Sequence, residues 1–449
     1  MMNARKITVD FGKKSGKIKP IHATNTGPRR GGVTLVSDSS GEYIEIGVSA
    51  VRLHDCEYPY GKNQFVDIHC IFPNPDADAD LPESYNFAPT DTYIRSVKEV
   101  GADVLLRLGE SCDLFPKTLY TKAPQDIEKY ASICEHIIMH YNEGWADGFK
   151  LNLRRVEISG GADDPRVFSG TREEFFALYR AVACRLRERF PRLKIGGYGA
   201  VGFYAVNRLS STECQKRAIP FLRDFLRYIT AEQTAAPLDF FTWYDYPTTP
   251  EELMLHARYA RGVLDEFGLK KTASVICGYN TSSYLAEGVC DRPSYLSELA
   301  SLLTALQKSD IESAFFSDPP LSESYGRSFI LGGTRSEFCP VYHALLTFGE
   351  LYRLSASVET VGDSRGEIYT LAARSEESGK VMIVTRAYSG NVELRALGIE
   401  ARCATIRRIA SSDGYSSSVS SVCGELAVKD GSVAFRADKD AVYMLEFLR

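Results

Sequence analysis

The feature that most constrains this chain is a repeated alternation of short β-like runs with amphipathic helical stretches. Eight strand candidates follow one another: Ile21–Asn25, Ala50–His54, Asp103–Leu108, Arg154–Ile158, Leu193–Gly197, Leu238–Trp243, Ala273–Cys277 and Glu312–Ser317. Helical stretches lie between most of them. Asp126–Tyr141 places Ile127, Tyr130, Ala131, Cys134, Ile137, Ile138 and Tyr141 near one face, and Glu173–Phe190 and Glu251–Phe267 behave similarly. Thr171 with Glu173 and Glu174 supplies a cap and an acidic first turn, and Pro250 stands where a missing N–H costs little. Strands separated by helices read as a parallel sheet, and eight of them favour a closed (β/α)8 barrel over an open sheet. No Gly-x-Gly-x-x-Gly turn follows an early strand, which argues against a dinucleotide fold.

After residue 353 the helical period disappears. Glu367–Ala373, Val381–Ala387, Val392–Leu397, Cys403–Ala410, Ser432–Ala437 and Ala441–Phe447 read as short strands separated by Gly, Ser, Asn and Asp. The expected organisation is an N-terminal strand in 1–18 joining a β-sandwich, a barrel over 19–352, and the sandwich over 353–449. Lys6–Phe11 is expected at a sandwich edge, and the serine-rich Ser411–Ser421 as an exposed loop.

Charge and cysteine content narrow the partners. A net charge of −5 leaves no broad basic field for nucleic acid or an anionic membrane, and no apolar run reaches membrane length. The eleven cysteines are scattered without CxxC pairs, so reduced, buried thiols in a cytoplasmic protein are expected. Met1–Lys6 runs straight into a strand pattern without a signal-peptide profile. No cofactor motif stands out. Asp67, His69, Asp76, Asp78 and Asp80 read as a polar loop rich in turn residues rather than a metal site.

In a barrel the chemistry sits at the C-terminal ends of the strands. That selects Asn25; Arg52, His54, Asp55 and Glu57; Arg107, Glu110 and Asp113; and Glu157, Asp163 and Asp164. Tyr198, then Trp243, Tyr244, Asp245 and Tyr246, then Tyr279 and Asn280, and finally Asp318 complete the set. Carboxylates, Arg, His and flat rings suit a polyol: charged groups bond hydroxyls and rings stack on sugar faces.

Val51-Arg52-Leu53-His54, Ser84-Tyr85-Asn86-Phe87 leading to Asp91, and His140-Tyr141-Asn142-Glu143-Gly144-Trp145 follow one another along the chain. A resemblance to glycoside hydrolase family 39, the β-xylosidase and α-L-iduronidase group, begins in these fragments. It continues in Phe168-Ser169-Gly170-Thr171 with Phe175, Phe176, Leu178 and Tyr179, then Leu193-Lys194-Ile195-Gly196-Gly197 and Asp239-Phe240-Phe241-Thr242-Trp243. It implies a glycosidase barrel and a carbohydrate ligand without a cofactor.

The departure lies at the centre of the expected site. Where the family carries Glu-Ile-Trp-Asn-Glu-Pro after the fourth barrel strand, this chain reads Glu157-Ile158-Ser159-Gly160-Gly161-Ala162. Gly161 therefore stands in the acid/base position. Where the family has Glu-Trp-Asn after the seventh strand, the chain reads Gly278-Tyr279-Asn280, so Gly278 stands in the nucleophile position. Tyr244 replaces a histidine common after the sixth strand, while Arg52 and His54 match.

Retaining hydrolysis needs two carboxyl groups about 5–5.5 Å apart, one to attack and one to move protons. Glycine offers neither. Three readings follow. The first is a carbohydrate-binding barrel, impaired or inactive in hydrolysis, its ligand held by Arg52, His54, Glu110, Trp243, Tyr244, Tyr246, Tyr279, Asn280 and Asp318. The second is an active glycosidase of xyloside, arabinoside or uronide type using displaced carboxylates such as Asp163, Asp164 or Asp245. The third is a non-catalytic interaction scaffold.

Overall fold

The computed structural model of the protein describes residues 4–28, 38–54, 56, 63–111, 121–282, 292–317, 340–411 and 418–448. Eight strands close into a parallel barrel in chain order: β2 (Ala23–Thr24), β3 (Ala50–Arg52), β4 (Asp103–Leu108), β5 (Arg155–Ile158), β6 (Lys194–Ala200), β7 (Phe240–Asp245), β8 (Ala273–Tyr279) and β9 (Ile311–Phe316). β9 returns to β2 through Ala23↔Phe315, which closes the ring. Each of the eight expected strands is present; Asp103–Leu108 has the expected bounds and the ends of the others lie within three residues of theirs.

The described helices are α1 (Ser40–Ile46), α2 (Ile68–Ile71), α3 (Ala88–Glu99), α4 (Ile127–Asn142), α5 (Arg172–Arg189), α6 (Glu213–Thr230), α7 (Pro250–Glu266), α8 (Tyr295–Lys308) and α9 (Pro340–Leu354). Their starts follow local chemistry. Asp126 accepts from the Lys129 N–H at the head of α4, and Thr171 and Glu174 form a reciprocal capping box on α5. Thr249 caps α7, with Pro250 in its first turn. Each such cap contributes about 1 kcal/mol. The helices bury one face against the outside of the barrel, where Ile137, Tyr179, Phe225, Leu264 and Leu303 join a continuous core. Among the described residues no helix is long and apolar enough to cross a membrane.

The remaining strands are β1 (Arg5–Lys17), β10 (Ala356–Val361), β11 (Ile368–Arg374), β12 (Ser378–Thr385), β13 (Gly390–Leu397), β14 (Cys403–Ser411), β15 (Ser418–Ala427), β16 (Ser432–Ala437) and β17 (Ala441–Leu448). They form one sheet in the order β15-β14-β17-β12-β11-β10-β1-β13-β16. The sheet rolls until β15 and β16 approach each other, so its halves face across a core holding Val9, Leu394, Ile383 and Leu445. The layering expected of a sandwich is thus made by one curled sheet.

Two details differ from expectation. β1 lies inside the sheet, antiparallel to β10 and parallel to β13, rather than at its edge. The serine-rich segment begins at the end of β14 and finishes in β15, an edge strand whose Val422 is exposed, while residues 412–417 lie outside the described residues. An edge strand facing solvent carries no apolar alternation to betray it. The other face of the sheet, with Leu371, Met382 and Met444, belongs to the barrel's outer core. Glu350 of α9 ties the two parts through Lys380 at 3.0 Å and through Arg407. The eight described cysteines form no disulfide, but Cys403 and Cys423 are exposed, which corrects the expectation of uniformly buried thiols.

Candidate functional site

Side chains alternate across a strand, so the barrel interior is built in layers two residues apart. One layer is apolar: Ala23, Ala50, Leu105, Phe240, Val275 and Phe315 form an inner cluster. Two residues further toward the C-terminal ends stand Asn25, Arg52, Arg107, Thr242, Cys277 and Ser317. Glu157 joins them from β5, in register with Arg107 of β4. The change from apolar to polar between adjacent layers marks the end of the barrel where a ligand would be met.

This polar layer is buried and bonded within itself. Arg52 Nε donates to Glu157 Oε2 at 2.6 Å, and Arg52 Nη1 reaches Asn25 Oδ1 at 3.5 Å and the Cys277 carbonyl at 3.4 Å. Asn25 donates to Ser317 Oγ at 2.9 Å. Arg107 donates to Asp67 and, at 3.0 Å, to Ser111 Oγ. Arg52 and Glu157 are fully buried and Arg107 is 1% exposed. Buried ion pairs of this kind add little net stability, because desolvation offsets their attraction.

One layer higher, counting again by two, come His54 and Tyr244, both partly exposed. The Tyr244 ring lies 5.4 Å from the Arg52 guanidinium carbon and edge-on to His54 at 6.0 Å. Its hydroxyl donates to the Gly160 carbonyl at 3.3 Å. Tyr246 runs nearly parallel to Tyr244, with centroids 6.4 Å apart, and its hydroxyl donates to Ser317 Oγ at 3.3 Å.

The two glycines differ in what surrounds them. A Cβ on Gly278 would lie 2.5 Å from Tyr244 Cδ1 and 2.6 Å from Ser317 Oγ, so that space is already occupied. Gly161 has φ +148, a conformation L side chains rarely adopt, and its Cβ would point at Val167 Cγ2, 3.2 Å away. At Gly278 the missing side chain therefore leaves no added room in the cup.

The displaced carboxylates point elsewhere. Asp163 is fully buried and accepts from the Val201 N–H at 3.2 Å; burial raises its pKa to about 7 against that hydrogen bond. Asp164 meets Arg166 at 2.7 Å, and although burial pushes its pKa up, the guanidinium and backbone bonds hold it below the usual range. Asp245 faces outward to α7, where His256 Nδ1 lies 2.9 Å away; burial raises its pKa, with His256 opposing. None of the three is turned to the polar layer that carries Arg52.

Trp243 shares the outward parity of Asp245. It is fully buried, donates to Ser274 Oγ at 3.0 Å and lies 5.0 Å from the Phe203 ring, so it is a core residue and not a stacking platform. Tyr198 and Tyr279 also belong to the outer core, Tyr279 donating to the Ile21 carbonyl at 3.0 Å. Asn280 is fully buried between the Ser317 carbonyl and the Tyr295 hydroxyl. Asp55, Glu57, Asp113 and Asp318 lie outside the described residues.

Glu110 takes the N–H of His69 at 3.2 Å and lies 2.5 Å from its Nδ1. Burial raises the Glu110 pKa to about 7 although His69 opposes it. Burial would lower that of His69, but bonds to Cys70 and Glu110 outweigh it and raise it. Asp67, His69 and Glu110 bring ligand-type atoms within 4.8 Å of one another. Asp67, however, is taken by Arg107 and by the N–H and hydroxyl of Ser111, so the group is arranged as two neighbouring ion pairs. A divalent cation there would face the Arg107 guanidinium. Sequence alone puts Asp67 and His69 in a polar loop, whereas Asp67 stands at the head of α2 and His69 within it; it does not select Ser111, Cys277 or Ser317, though counting by two from the apolar layer finds the last two.

No family model matches the chain. It is 23% identical over 259 residues to a β-xylosidase of Caldicellulosiruptor saccharolyticus, a match covering 54% of this chain and 46% of that protein. The chain thus aligns with about half the length of that relative. Among solved structures, a glucosidase of Croceicoccus marinus superposes with a TM-score of 0.77 at 21% identity, covering 100% of this chain and 99% of that one. A family 39 β-xylosidase of Caulobacter crescentus gives 0.71 at 12% identity, covering 99% and 100%. The family 39 enzyme of Xanthomonas axonopodis pv. citri gives 0.70 at 11%, covering 100% and 98%. A closed parallel barrel with an appended, mostly antiparallel β domain, this chain has a glycoside hydrolase family 39-like fold.

Proposed function

We propose that this chain binds a carbohydrate at the C-terminal end of its barrel and does not carry out two-carboxylate retaining hydrolysis. The observation that carries the reading is the occupied space at Gly278, where Tyr244 and Ser317 stand within 2.6 Å of any added Cβ. No carboxylate can attack from that position. The carbohydrate ligand is supported by the β-xylosidase and glucosidase relatives and by a mouth bordered by His54, Tyr244 and Tyr246. Rings of this kind offer flat faces and polar tips at one place.

The test pairs turnover with binding on the purified chain. Aryl xylosides, arabinosides, glucosides and uronides should release no aglycone. One of the parent sugars or its oligosaccharides should raise the unfolding midpoint, since a ligand at 100 times its Kd adds about 2.7 kcal/mol. Turnover that survives removal of contaminating glycosidases would overturn the reading.

A further inference from the structure

The polar layer has a bonding deficit. Arg52 Nη2, Arg107 Nε and Nη1, and Glu157 Oε1 are buried and have no hydrogen-bond partner. Buried polar atoms are nearly always paired, and unpaired atoms on charged groups are the most costly to keep. These four belong to three side chains at most 1% exposed, carried on adjacent strands β3, β4 and β5. Gly160 lies against them. A Cβ there would be 2.8 Å from Arg107 Cδ, 3.1 Å from Arg52 Nη2 and 3.7 Å from His54 Cδ2. Gly160 therefore lies beside both the unpaired donor of Arg52 and the partly exposed His54 at the mouth.

The charges are balanced while the hydrogen bonds are not. Arg52 is neutralised by Glu157, and Arg107 by Asp67. What remains open is three guanidinium nitrogens, with five N–H between them, and one carboxylate oxygen. A hydroxyl oxygen accepts from a guanidinium while its proton goes to a carboxylate. Two neighbouring hydroxyls supply both kinds of partner, accepting from the guanidiniums and donating to Glu157. A ligand carboxylate would accept from the guanidiniums but has no proton for Glu157, and it adds a negative charge beside one already buried.

We propose that Arg52, Arg107 and Glu157 form the floor of the ligand site, reached when the Tyr244 ring over Arg52 turns aside, and select a pair of neighbouring hydroxyls on a neutral sugar over the carboxylate of an acidic one. This rests on the carbohydrate-binding reading above and adds the chemistry that the floor selects. Tyr244 and His54 border the same point from the side of the mouth.

The experiment uses the full chain and titration calorimetry. Methyl xyloside and methyl glucoside are compared with analogues lacking one of two adjacent hydroxyls, and with methyl glucuronide. The neutral glycosides should bind, loss of one hydroxyl should weaken binding at least about tenfold, and the glucuronide should bind no more tightly than the glucoside. A site built to bond a hydroxyl rejects the analogue that lacks it. In Glu157→Gln, whose folding is checked by its unfolding midpoint, affinity for the glucuronide should rise relative to the glucoside. Tighter binding of the glucuronide by the unaltered chain, or equal binding of every deoxygenated analogue, overturns the floor's role and leaves sugar binding standing. Failure of every sugar to bind removes the carbohydrate reading itself.

Discussion

Two regions only one layer apart in the barrel have taken opposite courses. At the end of β8 the volume of a missing side chain is filled by Tyr244 and Ser317. Below it, Arg52, Arg107 and Glu157 are buried with four atoms unpaired. Packing closed the first region, because an empty apolar volume forfeits dispersion contacts on every side. The second was not replaced by apolar side chains, although such exchanges are often neutral or stabilising. On the proposed reading, the polar layer, rather than the positions of the family 39 carboxylates, is the part shaped by ligand binding.

The largest effect should come from breaking the pair at the centre of that layer. Arg52→Met leaves Glu157 buried without its partner and is expected to cost about 3–5 kcal/mol by denaturant unfolding. The double change Arg52→Met with Glu157→Met should recover most of the loss. Equal destabilisation by the single and double variants would mean that the pair is held for stability alone.

The filled region gives the next largest. Gly278→Ala should cost about 1–3 kcal/mol through overpacking against Tyr244 and Ser317. In a Tyr244→Ala background the same change should cost much less. A tolerated Gly278→Ala in the unaltered chain would show that the space is open.

Asp163 provides a pH-dependent control outside both regions. Its pKa in the folded protein is raised to about 7, above that of the unfolded chain. Between the two values the folded state holds a proton the unfolded state has lost, so stability falls as pH rises from about 4 to about 7. Asp163→Asn should remove that component, with a slope change of at most about 1.4 kcal/mol per pH unit. An unchanged pH profile would contradict the buried, proton-holding assignment.

The smallest effect belongs to Tyr244→Phe. It removes the 3.3 Å bond to the Gly160 carbonyl and should cost about 0.5–1.5 kcal/mol without reopening the space at Gly278.

Much of the scaffold was legible because parallel strands are short, apolar and separated by capped helices. Thr171, Asp126 and Pro250 stand at helix starts as their chemistry requires. The faces of the strands were not legible. Phe240-Phe241-Thr242-Trp243-Tyr244-Asp245 is buried on both sides, as barrel strands are, so hydrophobicity does not reveal which parity points inward. That is why Trp243 and Asp245 were read as mouth residues while Tyr244 alone of the three is one. The Asp67–Arg107 and His69–Glu110 pairs escaped for another reason: their members come from separate segments brought together only by barrel closure.

The most direct measurement is intact mass spectrometry of the full chain after incubation with an activated fluoroglycoside, which traps the covalent intermediate of a retaining glycosidase. The expected result is an unchanged mass while the parent sugar still raises the unfolding midpoint. A stoichiometric glycosyl adduct on a carboxylate of this chain would mean that it carries out retaining chemistry after all.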